Sequence, residues 1–216
     1  MPIPTIDGPR QPATSEVTKQ LVIFVHGYGA DGQDLIGLAP YFARHLPDAA
    51  FVAPNGPQRC DMSPMGFQWF AISQFDASSR LNGVLEAAPI LNQFIDQELE
   101  NHGLKDENIL LVGFSQGTMM SLHVGLRRER QLAGILGYSG LLAGPELIGD
   151  EIKSKPPILL IHGDQDEMLP VQHLHDAVDA LSGAGLNLEW HVSQGAGHTI
   201  AQDGLELGME FVQRIF

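Results

Sequence analysis

Three side chains, far apart in the chain, have the types and settings that nucleophilic acyl transfer needs. Ser115 lies in Gly113-Phe114-Ser115-Gln116-Gly117, after the apolar run Ile109–Val112 and before a helical pattern through Met119, Leu122, His123 and Leu126. A glycine two residues to either side lets a strand turn sharply into a helix, leaving the serine exposed on the turn. The helix that follows aims its free N–H groups at the same place, which favours developing negative charge. A serine hydroxyl is a poor nucleophile at neutral pH, so it needs a base, and the base needs a carboxylate to orient it. His162-Gly163-Asp164-Gln165-Asp166, which begins as the run Ile158–Ile161 ends, offers two acids, Asp164 and Asp166. Gly195-Ala196-Gly197-His198 follows the run Leu186–Val192 and supplies the histidine. Serine, acid and histidine thus fall in the order expected of such a turn, at the ends of later strands.

The glycine–serine pattern is weak by itself, because Gly137-Tyr138-Ser139-Gly140 nearly repeats it at the end of another strand. The order and setting of all three elements give it weight. His26-Gly27-Tyr28-Gly29, after the run Leu21–Val25, sits where a second backbone donor for an oxyanion is expected, although a plain glycine turn would look the same. His173 and His175 are two apart on a helical stretch and point to different faces, so an exposed polar surface explains them better than a metal. Cys60 reads as a loop thiol and His123 as a partly buried helix residue.

The elements that must position these residues alternate along the chain. Apolar strand-like runs at Leu21–Val25, Ala49–Ala53, Ile109–Val112, Ala133–Gly137, Ile158–Ile161 and Leu186–Val192 are separated by segments of helical period. Leu81, Val84, Leu85, Ala88, Leu91, Ile95 and Leu99 mark a long helix that Pro89 should kink or restart. Val171 to Leu181 and Leu205 to Phe216 mark two more. Repeated alternation predicts an α/β fold with a mostly parallel central sheet and helices on both faces. Residues 1–216 are expected to form one domain with no large cap, preceded by an irregular segment over 1–19. The stretch 54–79 breaks the rhythm. Rich in Pro and Gly but carrying Met62, Met65, Phe67, Trp69, Phe70 and Phe75, it is expected to fold over the site. It would line a pocket there with Met65, Trp69 and Phe70, or form a packed loop in which Trp69 fills a hollow.

Composition narrows the partners. Acidic residues number 26 against 12 basic, a formal charge of −14, which repels nucleic-acid phosphate and anionic membranes. No apolar run approaches the roughly 20 residues of a membrane span, and the first twenty residues lack the apolar core of a secretory signal. One cysteine permits no internal disulfide, so a cytoplasmic location is expected. The apolar loop equally suits contact with a second subunit, which leaves a homodimer open.

With these residues in view, the chain resembles the phospholipase/carboxylesterase family of α/β-hydrolases, which includes the acyl-protein thioesterases. The resembling stretches are Val25-His26-Gly27-Tyr28-Gly29-Ala30-Asp31-Gly32, Ala53-Pro54-Asn55, Gln68-Trp69-Phe70, Gly113-Phe114-Ser115-Gln116-Gly117, His162-Gly163-x-x-Asp166 with Pro170, and Gly197-His198. The resemblance implies Ser115, Asp166 and His198 as catalytic triad, selecting Asp166 over Asp164, with oxyanion donors at the backbone N–H groups of Tyr28 and Gln116. Tyr28 stands where family members with long-chain thioesterase activity commonly have Leu. The resemblance implies broad carboxylic-ester hydrolysis, with lysophospholipids or acylated proteins as substrates of some members; the substrate expected here is a small-molecule ester of short to medium acyl chain, or a thioester, and no metal or cofactor is needed. The rival readings are a catalytically silent binding module of the same fold and a peptidase-like hydrolase.

Overall fold

Strands that are apolar at every position have to be buried on both faces, and that requirement organises this molecule. The structure is a computed structural model that describes residues 3–72 and 76–216. The chain enters through β1 (Arg10–Gln11) and β2 (Gln20–Val25), and short helices α1 (Gly32–Ile36) and α2 (Ala39–Ala43) lead to β3 (Ala49–Val52). A hairpin of β4 (Gln58–Arg59) and β5 (Phe67–Gln68) precedes the long α3 (Ala77–His102). Four strand–helix units complete the chain: β6 (Ile109–Phe114) with α4 (Gln116–Arg127), β7 (Gly134–Tyr138) with α5 (Ile148–Glu151), β8 (Ile158–Gly163) with α6 (Gln172–Gly183), and β9 (Leu188–Ser193) with α7 (Gln202–Ile215).

The main sheet has the order β1-β3-β2-β6-β7-β8-β9, parallel throughout except at β1. Along β2 the side chains alternate between two cores. Leu21, Ile23 and Val25 meet α3 and α4 through Val84, Leu91, Met119 and Val124, while Val22 and Phe24 meet α1, α2 and α7 through Leu35, Phe42 and Phe211. A third cluster packs α6 on the first of these faces, with Leu174 and Leu181 against Ile135, Ile158 and Leu160. Among the described residues, the connection from β3 to α3 carries the small β4–β5 hairpin and no cap domain. After β3 the chain crosses back over β2 to lay down β6, so the strand order reverses between β2 and β6. A crevice opens at the carboxyl ends of strands where the order reverses, and the turns carrying Tyr28 and Ser115 both begin there.

Three expectations need correction. The segment 1–19 is not wholly irregular, because Arg10 and Gln11 pair antiparallel with Val52 and Phe51. Pro89 does not restart α3, which is one helix on both sides of it. Val84, Ala87, Leu91, Phe94 and Ile95 bury one helix face on both sides of the proline, and this outweighs the roughly 3 kcal/mol that proline costs inside a helix. Leu85, whose carbonyl loses its partner, stands on the exposed side where water can replace it. The helix starts at Ala77, capped by the Asp76 carboxylate accepting from the Ser79 N–H at 2.9 Å, so the loop expected to reach residue 79 ends earlier. Phe75, counted among that loop's apolar residues, lies outside the described residues. Among the described residues no helix is long and apolar enough to cross a membrane.

Candidate active site

Ser115 occupies the turn between β6 and α4 with φ 53° and ψ −115°, a strained conformation for a residue with a side chain. The flanking glycines are required by contact. A Cβ on Gly117 would lie 1.8 Å from the Val25 carbonyl oxygen, and one on Gly113 would lie 2.6 Å from that of Gly117. The Ser115 N–H donates to the Tyr138 carbonyl at 2.9 Å, and its own carbonyl accepts from Thr118 at 3.0 Å, so the turn is fixed from both sides. Gln116 is the first residue of α4, so its N–H has no partner within the helix.

The acid and histidine loops are locked to each other by backbone. Gln165 N–H donates to the Ala196 carbonyl at 2.9 Å, and Asp164 N–H to the Ser193 carbonyl at 3.2 Å. Across this seam Asp166 Oδ2 lies 2.7 Å from His198 Nδ1. Asp164, the other acid, accepts instead from the Gly195 N–H at 2.6 Å and so braces the loop that carries the histidine. Burial pushes the Asp166 carboxyl up, but N–H donation from Leu169, the bond to His198 and donation from Met168 outweigh it and hold it below the usual aspartate range. The His198 ring packs 5.0 Å, centroid to centroid, from that of Phe114, the residue before Ser115. Asp166 and His198 are therefore in direct contact, and the imidazole lies over the serine's own turn.

The turn after β2 completes the crevice. A Cβ on Gly27 would lie 3.2 Å from Ser115 Cβ, so this turn approaches the serine directly. Tyr28 is held within it, as Ala30 N–H bonds to the Gly27 carbonyl (3.3 Å), Gly29 N–H to the Phe67 carbonyl (2.9 Å) and Phe67 N–H to the Ala30 carbonyl (2.7 Å). Burial, followed by the hydrogen bond with the Cys60 thiol, pushes the Tyr28 phenol up to about 12. His26 is fully buried. Its Nε2 accepts from the Gly56 N–H at 2.8 Å, which leaves Nδ1 to donate to the Gly27 carbonyl at 2.7 Å, and burial lowers its pKa.

Trp69 and Phe70 differ from Met65 in burial. Trp69 and Phe70 are buried at 1% and 3% exposure, whereas Met65 is 82% exposed on the connection between β4 and β5. Trp69 fills a hollow under the site and donates its Nε1–H to the His26 carbonyl at 3.1 Å. The Gln116 side chain holds the same segment, its Oε1 accepting from the Trp69 N–H and its Nε2 donating to the Phe70 carbonyl, both at 2.9 Å. This amide clamp was not evident from sequence, where only the Gln116 backbone had a role. Ser139, the near-match serine, also has a positive φ of 46°, but it is buried with its hydroxyl donated to the Thr199 carbonyl at 3.2 Å. His162 was read only as part of a motif, yet it contacts Asp166 from within the core. The one signal available was its place four residues before the acid. Among the described residues no group of three or more His, Cys, Asp or Glu could hold a metal ion. His175 stacks edge-on against Trp190.

A family model described as Phospholipase/Carboxylesterase matches residues 6–216. The chain belongs to the phospholipase/carboxylesterase family. It is 30% identical over 220 residues to acyl-protein thioesterase 1 of Gibberella zeae, covering 94% of this chain and 93% of that one. Acyl-protein thioesterase 1 of Saccharomyces cerevisiae is 28% identical over 229 residues, covering 97% and 98% of the two chains. The crystal structure of esterase PE8 is similar with a TM-score of 0.96 and 43% identity, over 98% of this chain and all of that one. That of Arabidopsis thaliana SOBER1 follows at 0.79 and 26% identity, over 92% and 99%. As a member of this family the chain is an enzyme, a hydrolase of the carboxylesterase and acyl-thioesterase type.

Proposed function

We propose that the chain hydrolyses carboxylic esters of short to medium acyl chain through Ser115, Asp166 and His198, by way of an acyl-enzyme. His198 takes the Ser115 proton as the hydroxyl oxygen attacks the ester carbonyl, and Asp166 orients the imidazole and stabilises its cation. The N–H groups of Tyr28 and Gln116 receive the oxyanion, each such donor being worth about 3 kcal/mol. His198 then protonates the departing alcohol. In the second half it activates a water that releases the acid and frees Ser115. A thioester presents the same carbonyl to the same nucleophile and passes through the same two steps. The charge of −14 favours soluble, uncharged esters met in an aqueous compartment such as the cytoplasm over substrates held in an anionic bilayer.

The observation that carries this reading is the 2.7 Å contact between His198 Nδ1 and Asp166, with the imidazole packed on the ring beside Ser115. A silent binding module has no need of a strained serine or a histidine oriented by a buried acid. The decisive test is Ser115→Ala, with p-nitrophenyl butyrate turnover and fluorophosphonate labelling as readouts. Turnover falls by about 10⁴-fold or more and labelling disappears, while unfolding is unchanged. Residual turnover within tenfold of the parent removes Ser115 from its role.

A further inference from the structure

Asp166 holds more than the histidine it orients. Its Oδ1 accepts from the N–H groups of Met168 and Leu169 at 2.9 and 2.8 Å. Its Oδ2 faces two imidazoles, Nδ1 of His198 at 2.7 Å and Nε2 of His162 at 3.1 Å. The His162 side chain is 1% exposed at the end of β8, and the same Nε2 lies 2.7 Å from the Leu169 carbonyl oxygen. A ring nitrogen bonded to a carbonyl oxygen, which only accepts, must carry the proton. Leu169 therefore links the two residues, its N–H given to Asp166 Oδ1 and its carbonyl taking the proton of His162.

We infer that His162 is a positioning residue for the hydrolysis, its Nε2–H given to the Leu169 carbonyl so that the turn whose N–H groups hold Asp166 Oδ1 is fixed, while the same ring nitrogen, 3.1 Å from Oδ2, moderates the carboxylate's pull on His198. A carboxylate oxygen that faces the positive edge of a second imidazole is less basic towards the first. Without His162, Asp166 turns more freely and binds the His198 cation more strongly, so the general base stays protonated to higher pH. The other charged groups near the pair are His173 on α6, Asp176 on the same helix and Arg80 from α3. These are unchanged in the variants below, so a difference between them reports on His162. Volume alone cannot account for the arrangement, because an apolar residue of equal size would leave the Leu169 carbonyl without this donor.

The inference rests on the Ser115–Asp166–His198 reading, and the test separates the two. In the full chain, with p-nitrophenyl butyrate, His162→Leu removes the donor at similar volume, whereas His162→Gln returns an N–H at the same reach. The Leu variant is expected to lose about tenfold or more in kcat, with KM changed by less than about threefold and the acid limb of kcat/KM moved upward by about half a pH unit. The Gln variant recovers most of both effects. A folded Leu variant with parental kcat and acid limb, or Leu and Gln variants that behave alike, overturns the inference. If the Leu variant does not fold, the parent decides by ¹⁵N imidazole spectra. The proton of the neutral His162 ring is expected on Nε2, and a proton on Nδ1 overturns the assignment. The tautomer is independent of turnover, so an active Ser115→Ala enzyme would defeat the triad without touching it.

Discussion

Replacing Gln116 by leucine tests how the site is held together, because this buried amide joins the Ser115 turn to the segment under the Tyr28 turn. The substitution keeps an extended side chain of similar size but leaves the Trp69 N–H and the Phe70 carbonyl without the partners they have at 2.9 Å. Each orphaned buried group costs about 1–3 kcal/mol, so the pair costs about 2–6 kcal/mol. In a chain of 216 residues that is a fall in Tm of about 4–24 °C. Urea unfolding followed by tryptophan fluorescence reads the loss directly, with an unchanged m-value if the unfolded state is unaffected. Function should suffer as well. Trp69 holds the His26 carbonyl through its indole N–H, and His26 is two residues before the proposed donor at Tyr28. A loosened Trp69 therefore lowers kcat while KM moves little, the pattern expected when an interaction made in the transition state is lost. A leucine variant within about 0.5 kcal/mol of the parent would show that the amide clamps nothing. One that is destabilised but has parental kcat would show that the clamp does not reach the oxyanion turn.

Two further outcomes follow from the buried ionisable groups. Asp166→Asn keeps the shape of the acid but removes its charge, and the parental tautomer of His198 with it, so kcat is expected to fall about 10⁴-fold; a variant within tenfold of the parent would remove Asp166 from the mechanism. His123 is pushed down to about 4, by burial first and then by the Arg127 charge. Between the ordinary histidine range and that value the unfolded chain binds a proton that the folded chain refuses, so stability falls as pH falls from about 6.5 to 4. After allowance for solvent screening the loss is on the order of 2 kcal/mol. His123→Leu should flatten this part of the stability–pH curve, and an unchanged slope in urea titrations at pH 7, 5.5 and 4.5 would refute the account.

What could be read from sequence was whatever local chemistry dictates. The continuous apolar runs appear as strands within a residue or two, because a run such as Leu110-Leu111-Val112 has no polar face to expose and must lie between helices. The serine turn was legible because its glycines answer to contacts with neighbouring backbone that admit no Cβ. The features that were missed depend on tertiary context. Pro89 signals a break in any isolated helix, and only packing on both sides of it carries α3 through. Trp69 and Phe70 are large and apolar in a loop, which describes a pocket wall and a buried plug equally well. What holds them in place is the Gln116 amide, whose partners are 46 and 47 residues away. His162 gave no periodic signal, since its partner Asp166 lies beyond the end of the strand that carries it.

The way these loops are joined has a consequence for how the site works. Asp166 and His198 come from adjacent strands, β8 and β9, whose loops are tied by the Gln165–Ala196 backbone bond and the Asp164–Gly195 bond. Ser115 and Tyr28 come from another adjacent pair, β6 and β2, tied through β5 and the Gln116 amide. The site is thus two rigid halves that meet where the Phe114 ring touches the His198 ring and where Ser139 donates to the Thr199 carbonyl. Within each half, geometry is set by short hydrogen bonds and backbone contact. Between them, β7 is the bridge: the Ser115 N–H donates to the Tyr138 carbonyl at 2.9 Å and the Ser139 N–H to the Ile161 carbonyl at 2.8 Å, with the ring contact and the 3.2 Å Ser139–Thr199 bond above this ladder. A shift of the His198 loop against the serine turn is therefore opposed by the sheet beneath and by these two contacts at the rim. Such a shift would change the reach from imidazole to hydroxyl without disturbing the Asp166–His198 pair or the proposed donors at Tyr28 and Gln116.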